Sequence, residues 1–243
     1  MQREVTGWFS PALNEYMDIA VYGHYGFALL LIPTADSNYL EYEQKGLIES
    51  IKPFINDGKV KVYCINSINS ESWMNPYMHG YDKAVRHQLF NDYVIKEVVP
   101  FIKDNSSPTN EIIAAGASFG ALHAANLFFK HPDFINGVIA MSGCYDLSVY
   151  TDGYYDDNVY FNSPVHYLPQ LKAEWHLSLY RDSRHIHFVT GSGAYEVPEY
   201  SKQISAILIS KNVPHELDIW GNDIPHEWWV WKRMLPYYLS TRF

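Results

Sequence analysis

A mostly parallel α/β sheet with helices on both faces, preceded by an antiparallel edge, is the fold this sequence predicts. Three observations carry that expectation. Short apolar runs recur down the chain, at Phe27 to Ile32, Val60 to Ile65 and Ile112 to Ala115, and each reads as a strand buried on both faces. Helical patterns lie between these runs, so strands and helices alternate from Phe27 to the end. Two strand-like segments, Glu4 to Ser10 and Met17 to Tyr22, come first and are joined only by a proline-containing turn. At 243 residues the chain is long enough for a full core, and residues 1–243 read as one domain.

The elements follow in order. Gly23 to Gly26 is a turn, and the strand from Phe27 stops at Pro33. Tyr39 to Phe54 carries a helical pattern with Leu47, Ile48 and Ile51 as its apolar stripe, and Pro53 is expected to end it. After the strand at Val60 and a polar loop to Pro76, Tyr81 to Lys103 reads as a long amphipathic helix that Pro100 bends or breaks. Ile112 to Ala115 leads into a helix that His131-Pro132 stops, and Phe134 to Met141 is the next strand. His185 to Thr190, a helix from about Pro198 to Ser210, a strand from His215 to Trp220 and a helix from Glu227 to Leu239 complete the chain. Residues 143–184 interrupt this rhythm. The stretch is too long for a plain connection and is crowded with tyrosines from Tyr150 onward. A lid or substrate wall would sit there, above the C-terminal strand ends, and a surface excursion held by its own aromatics is the alternative.

Gly116, Ser118 and Gly120 stand between an apolar strand and an Ala- and Leu-rich helix. This is the G-x-S-x-G nucleophile elbow. The turn strains the serine backbone and lifts its hydroxyl clear of the sheet. The positions two before and two after lie where strand and helix pass closest, so glycine fits there.

A serine hydroxyl is a poor nucleophile and needs a base, usually a histidine oriented by a carboxylate. Around such an elbow the partners follow in the order serine, acid, histidine. Of 11 histidines, position removes most. His24, His79 and His87 precede the elbow, while His123 and His131 belong to its helix. His185 and His187 point to one face of a strand and could hold a metal, but no third ligand is evident, so no metal is expected. His226, in the loop after the last strand, is left as the base. Glu196 is the only carboxylate between the strand ending at Thr190 and Pro198, and it is the candidate acid; Asp223 and Asp146 are the alternatives. An oxyanion hole needs two backbone N–H groups. Phe119 would supply one, and the loop after Ile32 the other, with Ala35 as the choice.

Net charge and composition narrow the partners. The charge of −9, with no basic cluster, argues against a nucleic-acid partner. No apolar run spans a bilayer and no signal-peptide core opens the chain, so a soluble cytoplasmic protein with no membrane partner is expected. Two cysteines, Cys64 and Cys144, form no disulfide framework. Aromatics reach 16%, with 20 Tyr and 7 Trp, more than a core needs, so some are expected to line a pocket or an interface.

Gly-Ala-Ser-Phe-Gly at 116–120, the loop Asn222-Asp-Ile-Pro-His-Glu-Trp-Trp229 and the closing Trp231-Lys-Arg-Met-Leu-Pro-Tyr-Tyr-Leu239 resemble the putative-esterase family of α/β-hydrolases. That family includes esterase D-like enzymes, feruloyl esterases, enterochelin esterases and mycolyltransferases, and the likeness covers nearly the whole chain. It implies an α/β-hydrolase fold, hydrolysis of a small-molecule carboxylic ester, and no metal or organic cofactor. It also supports Ser118, Glu196 and His226 as the triad. Two departures stand out. The secretion signal of the polysaccharide-acting and mycolyl-transferring members is missing, and Asn222 replaces the histidine common beside the Asp of the last loop. The reading is a serine esterase. Its rivals are acyl transfer or thioester cleavage on the same triad, and a silent relative that binds a ligand in the same pocket.

Overall fold

A computed structural model describes residues 1–243 and places eight strands in one sheet. They are β1 (Arg3–Ser10), β2 (Glu15–Tyr22), β3 (Phe27–Ile32), β4 (Val60–Ile65), β5 (Ile112–Ala117), β6 (Gly137–Met141), β7 (Ile186–Thr190) and β8 (Glu216–Ile219). Their order across the sheet is β1-β2-β4-β3-β5-β6-β7-β8. The hairpin β1–β2 and the β2–β4 pair are antiparallel, and every pair from β4 to β8 is parallel. This is the α/β-hydrolase fold. Its central parallel strands β3, β5 and β6 are apolar throughout because helices cover both faces. β3, β5 and β6 lie at its centre, and β5 ends at the elbow.

The helices are α1 (Glu41–Gln44), α2 (Leu47–Asn56), α3 (Gly80–Tyr93), α4 (Val99–Asn105), α5 (Phe119–Lys130), α6 (Asp157–Phe161), α7 (Pro164–Tyr167), α8 (Glu174–Asp182), α9 (Pro198–Ser210) and α10 (Trp228–Thr241). Residues of α3, α5, α8 and α9 pack into one apolar core, and those of α2 and α10 into the other.

Local chemistry moves several boundaries. The helix expected over 39–54 is divided by Gly46, whose φ of 77° no helix accepts, and its second half runs through Pro53 to Asn56. Pro53 is exposed, while Leu47, Ile48, Ile51 and Ile55 stay buried and hold the helix together past it. The long helix expected over 81–103 is three pieces, because Val94–Val98 widens into a π-helical turn just before Pro100. That widening accommodates the hydrogen bond a proline cannot make. β6 starts at Gly137 because Phe134 and Ile135 instead bond back to His131 O in a turn. Residues 143–184 carry α6, α7 and α8, and Leu147, Val159, Val165, Leu168, Leu177 and Tyr180 anchor the stretch in the larger core. No helix is long and apolar enough to cross a membrane.

Candidate active site

The elbow follows from close packing. Ser118 has φ 56° and ψ −122°, a conformation that side-chain-bearing residues rarely adopt. A Cβ on Gly120 would stand 2.2 Å from Ile32 O and 2.7 Å from Pro33 O, so only glycine lets α5 start against the end of β3. Gly116 in turn meets the Gly120 backbone. Ser118 N donates to Met141 O at 2.9 Å, and the Tyr42 hydroxyl bridges Ile32 O (2.8 Å) and Ala117 N (3.1 Å). These bonds hold the strained turn from three sides.

A second construction brings the distant loops together. Gly193 N donates to Ile224 O at 3.0 Å and His226 N to Ala194 O at 2.9 Å, joining the loop after β7 to the loop after β8. Gly191 sits so tightly beneath Ile224 that a Cβ would fall 2.0 Å from its carbonyl oxygen. Glu196 therefore lies beside His226, with Oε2 3.5 Å from Nδ1. The Glu196 side chain is 1% exposed and that of His226 25%. Ser142 Oγ donates to Glu196 Oε1 at 2.6 Å, and Thr190 Oγ1 donates to Oε2 at 2.9 Å. Trp231 Nε1 in turn donates to Ser142 Oγ at 3.1 Å, and its ring stands edge-on to the His226 ring at 5.0 Å. Burial by itself would raise the Glu196 pKa. The hydrogen bonds from His226, Ser142 and Thr190 and the nearby His226 charge outweigh it and hold the carboxyl below its usual range.

Ser118, Glu196 and His226 line one cavity of about 210 Å³, together with Cys144, Tyr150 and Tyr200. Burial pushes the Cys144 thiol up to about 11, so it forms a neutral wall beside the serine. Neither alternative acid is paired with His226. Asp146 Oδ1 accepts from Ser148 N and Oγ and its Oδ2 lies 3.3 Å from His166 Nε2, while Asp223 is exposed on its loop. Phe119 opens α5 directly against the loop that carries Ala35. In that loop Thr34 is occupied, donating N–H and Oγ1 to the buried Glu41 at 2.8 and 2.5 Å. Glu41, Tyr42, Ser142, Thr190 and Trp231 were not foreseen as site residues, since nothing local marks them. Only the Trp231 segment stood out, as part of the closing tract.

A family model described as "Putative esterase" matches residues 42–239, a span that contains the elbow and both loops. The chain belongs to the putative esterase family. Members of that class are hydrolases acting on carboxylic esters, and this chain is one of them. Among solved structures it is similar to a ferulic acid esterase, with 17% identity and a TM-score of 0.72 over 98% of this chain and 96% of the other. An S-formylglutathione hydrolase from Agrobacterium tumefaciens superposes at TM-score 0.73 and 10% identity, covering 99% and 95%. MPT51 (FbpC1) of Mycobacterium tuberculosis gives 0.71 and 15%, covering 99% and 97%. At these identities the likenesses establish the α/β-hydrolase fold. No curated protein sequence matches the chain.

Proposed function

We propose that this esterase works through an acyl-enzyme on Ser118, with His226 as base and Glu196 as the carboxylate that orients it. Ser118 Oγ attacks the ester carbonyl carbon as His226 Nε2 takes its proton. The tetrahedral oxyanion is held by the N–H groups of Phe119 and Ala35. Collapse breaks the ester C–O bond, and His226 returns the proton to the departing alcohol. Water then attacks the acyl-enzyme by the same steps in reverse, releasing the carboxylic acid and restoring Ser118.

The observation that carries this reading is the buried Glu196 carboxylate, braced by Ser142 and Thr190 and set 3.5 Å from His226 Nδ1, with His226 and Ser118 on the wall of one cavity. An ionised carboxylate there fixes the tautomer that leaves Nε2 free to accept a proton and stabilises the imidazolium that forms. The cavity is smaller than the roughly 300–1,000 Å³ usual for drug-sized ligands, which favours a short acyl group. Purified protein is therefore expected to hydrolyse p-nitrophenyl acetate faster than the decanoate. Ser118→Ala should lower kcat on the order of a million-fold with an unchanged circular-dichroism spectrum. Parental hydrolysis by that variant would reduce the elbow to a packing feature.

A further inference from the structure

A second cavity, of about 420 Å³, lies on the far side of residues 143–184, between the C-terminal end of α5 and the helices α6 to α8. Phe129, Tyr160, Tyr167, Leu171 and Tyr180 give it apolar walls. The basic side chains that line it are Lys130, Lys172 and His176, and no carboxylate does. In a chain of net charge −9 that is a local reversal of sign.

Lys130 is its focus. The ammonium donates to Gln88 Oε1 at 2.9 Å and to Asn162 Oδ1 at 3.0 Å, both neutral acceptors. An ammonium has three N–H groups, so one remains for another acceptor. Asp92, the carboxylate that acts on it from a distance, is already ion-paired with Lys96 at 2.8 Å. Glu174, at the start of α8, is paired with Arg181 at 2.5 Å. Burial pushes the Lys130 pKa down to about 8, against the pull of Asp92, which measures how poorly its charge is compensated. On the cavity wall, His176 Nδ1 is buried with no hydrogen-bond partner.

We propose that this cavity binds a small organic anion, an aryl- or alkyl-carboxylate whose apolar body fills the aromatic walls and whose carboxylate pairs with Lys130. The walls favour a hydrophobic body over a bare phosphate, and Lys130, half-buried where Lys172 is exposed to solvent, matches a single negative charge. A neutral ligand would leave that charge unpaired and desolvated.

Calorimetric titration of the full chain with phenylbutyrate, and with phenylbutanol as its uncharged counterpart, tests the assignment. The acid is expected to bind saturably and the alcohol roughly tenfold or more weakly, the value of a hydrogen bond to a charged group. Ala173→Trp places an indole in the cavity from an exposed position and should abolish binding while leaving p-nitrophenyl acetate hydrolysis unchanged. Lys130→Met should bring the acid down to the affinity of the alcohol; if that variant does not fold, Ala173→Trp and the acid–alcohol comparison decide. Equal affinity for acid and alcohol, absence of saturable binding, or binding indifferent to Ala173→Trp overturns the proposal.

Discussion

Two histidine–glutamate pairs flank β7, and they are built as opposites. His187 and Glu216 face each other across the β7–β8 ladder, with Nδ1 2.7 Å from Oε2. His226 and Glu196 come from the two loops beyond those strands and stand further apart, at 3.5 Å. In the tighter pair the histidine is buried, with a side chain 4% exposed, and the glutamate is open at 36%, held by Arg242 at 2.8 Å. In the looser pair the carboxylate is buried and the imidazole open. The His187 Nε2 is enclosed without a partner beside the Tyr238 ring, whereas His226 shares a cavity with Ser118. In the proposed mechanism, short distance therefore does not identify the working pair. A sheltered carboxylate fixes and stabilises a base that can still reach a reacting group, and a sheltered imidazole can do neither.

The largest expected contrast follows from that difference. Glu196→Gln keeps the volume and loses the charge, so kcat should fall by up to about ten-thousand-fold by analogy with other triads. Glu216→Gln should leave kcat within about twofold, the size expected of a residue outside the catalytic unit. Asp146→Asn and Asp223→Asn, the remaining candidate acids, belong with Glu216→Gln in this comparison. Steady-state kinetics on p-nitrophenyl acetate reads all four. A collapse of kcat in any of the three controls would move the acid away from Glu196.

The tighter pair should show itself in stability instead. Burial outweighs the neighbouring Glu216 carboxylate and pushes His187 down to about 4, below the value of about 6.5 it has in an unfolded chain. Between those two values the unfolded chain holds a proton that the native histidine refuses, so stability is complete above about pH 6.5 and declines as pH falls toward 4. For one buried histidine shifted this far the loss is about 3 kcal/mol. His123, pushed by burial to about 3, adds to it in the same direction. Calorimetric melting from pH 7 to 4 should show a falling midpoint, with a shallower slope in His187→Gln. An unchanged slope in that variant would remove His187 as a source of the acid sensitivity.

Ser142→Ala gives the smallest effect and probes the support of the Glu196 carboxylate. Without the 2.6 Å donor, Oε1 loses a bond that lowers its proton affinity, so the Glu196 pKa rises. A carboxylate whose native pKa is depressed is charged above it and neutralised as pH falls through it. The acid limb of kcat/KM should therefore begin at a higher pH in the variant, with a loss of roughly tenfold at neutral pH for one charged hydrogen bond. An unmoved limb would mean that Thr190 and His226 hold the charge by themselves.

What could be read from the chain was whatever neighbouring residues determine. Ser118 announces itself because strand, turn and helix are contiguous, and the loops of Glu196 and His226 follow from their place after the last two strands. The buried strand at Phe27–Ile32 and the helix at Pro198–Ser210 were legible to the residue. Ser142 and Thr190 were not, because they reach Glu196 only through side chains at the ends of β6 and β7, and Trp231 arrives from α10. The same holds for Glu216, which meets His187 through strand register. In 143–184 the buried residues Leu147, Val159, Val165, Leu168 and Leu177 are spaced at no single period, so the short packed helices were not legible in a stretch that reads as a lid, a substrate wall or a tyrosine-rich excursion.

The most direct test of a nucleophilic Ser118 served by the open histidine is covalent labelling. Intact protein treated with a fluorophosphonate and analysed by mass spectrometry should gain one adduct, on the peptide containing Ser118, at a rate that Glu196→Gln slows strongly and Glu216→Gln does not. A protein that stays unlabelled, is labelled elsewhere, or is slowed equally by both substitutions would contradict the account.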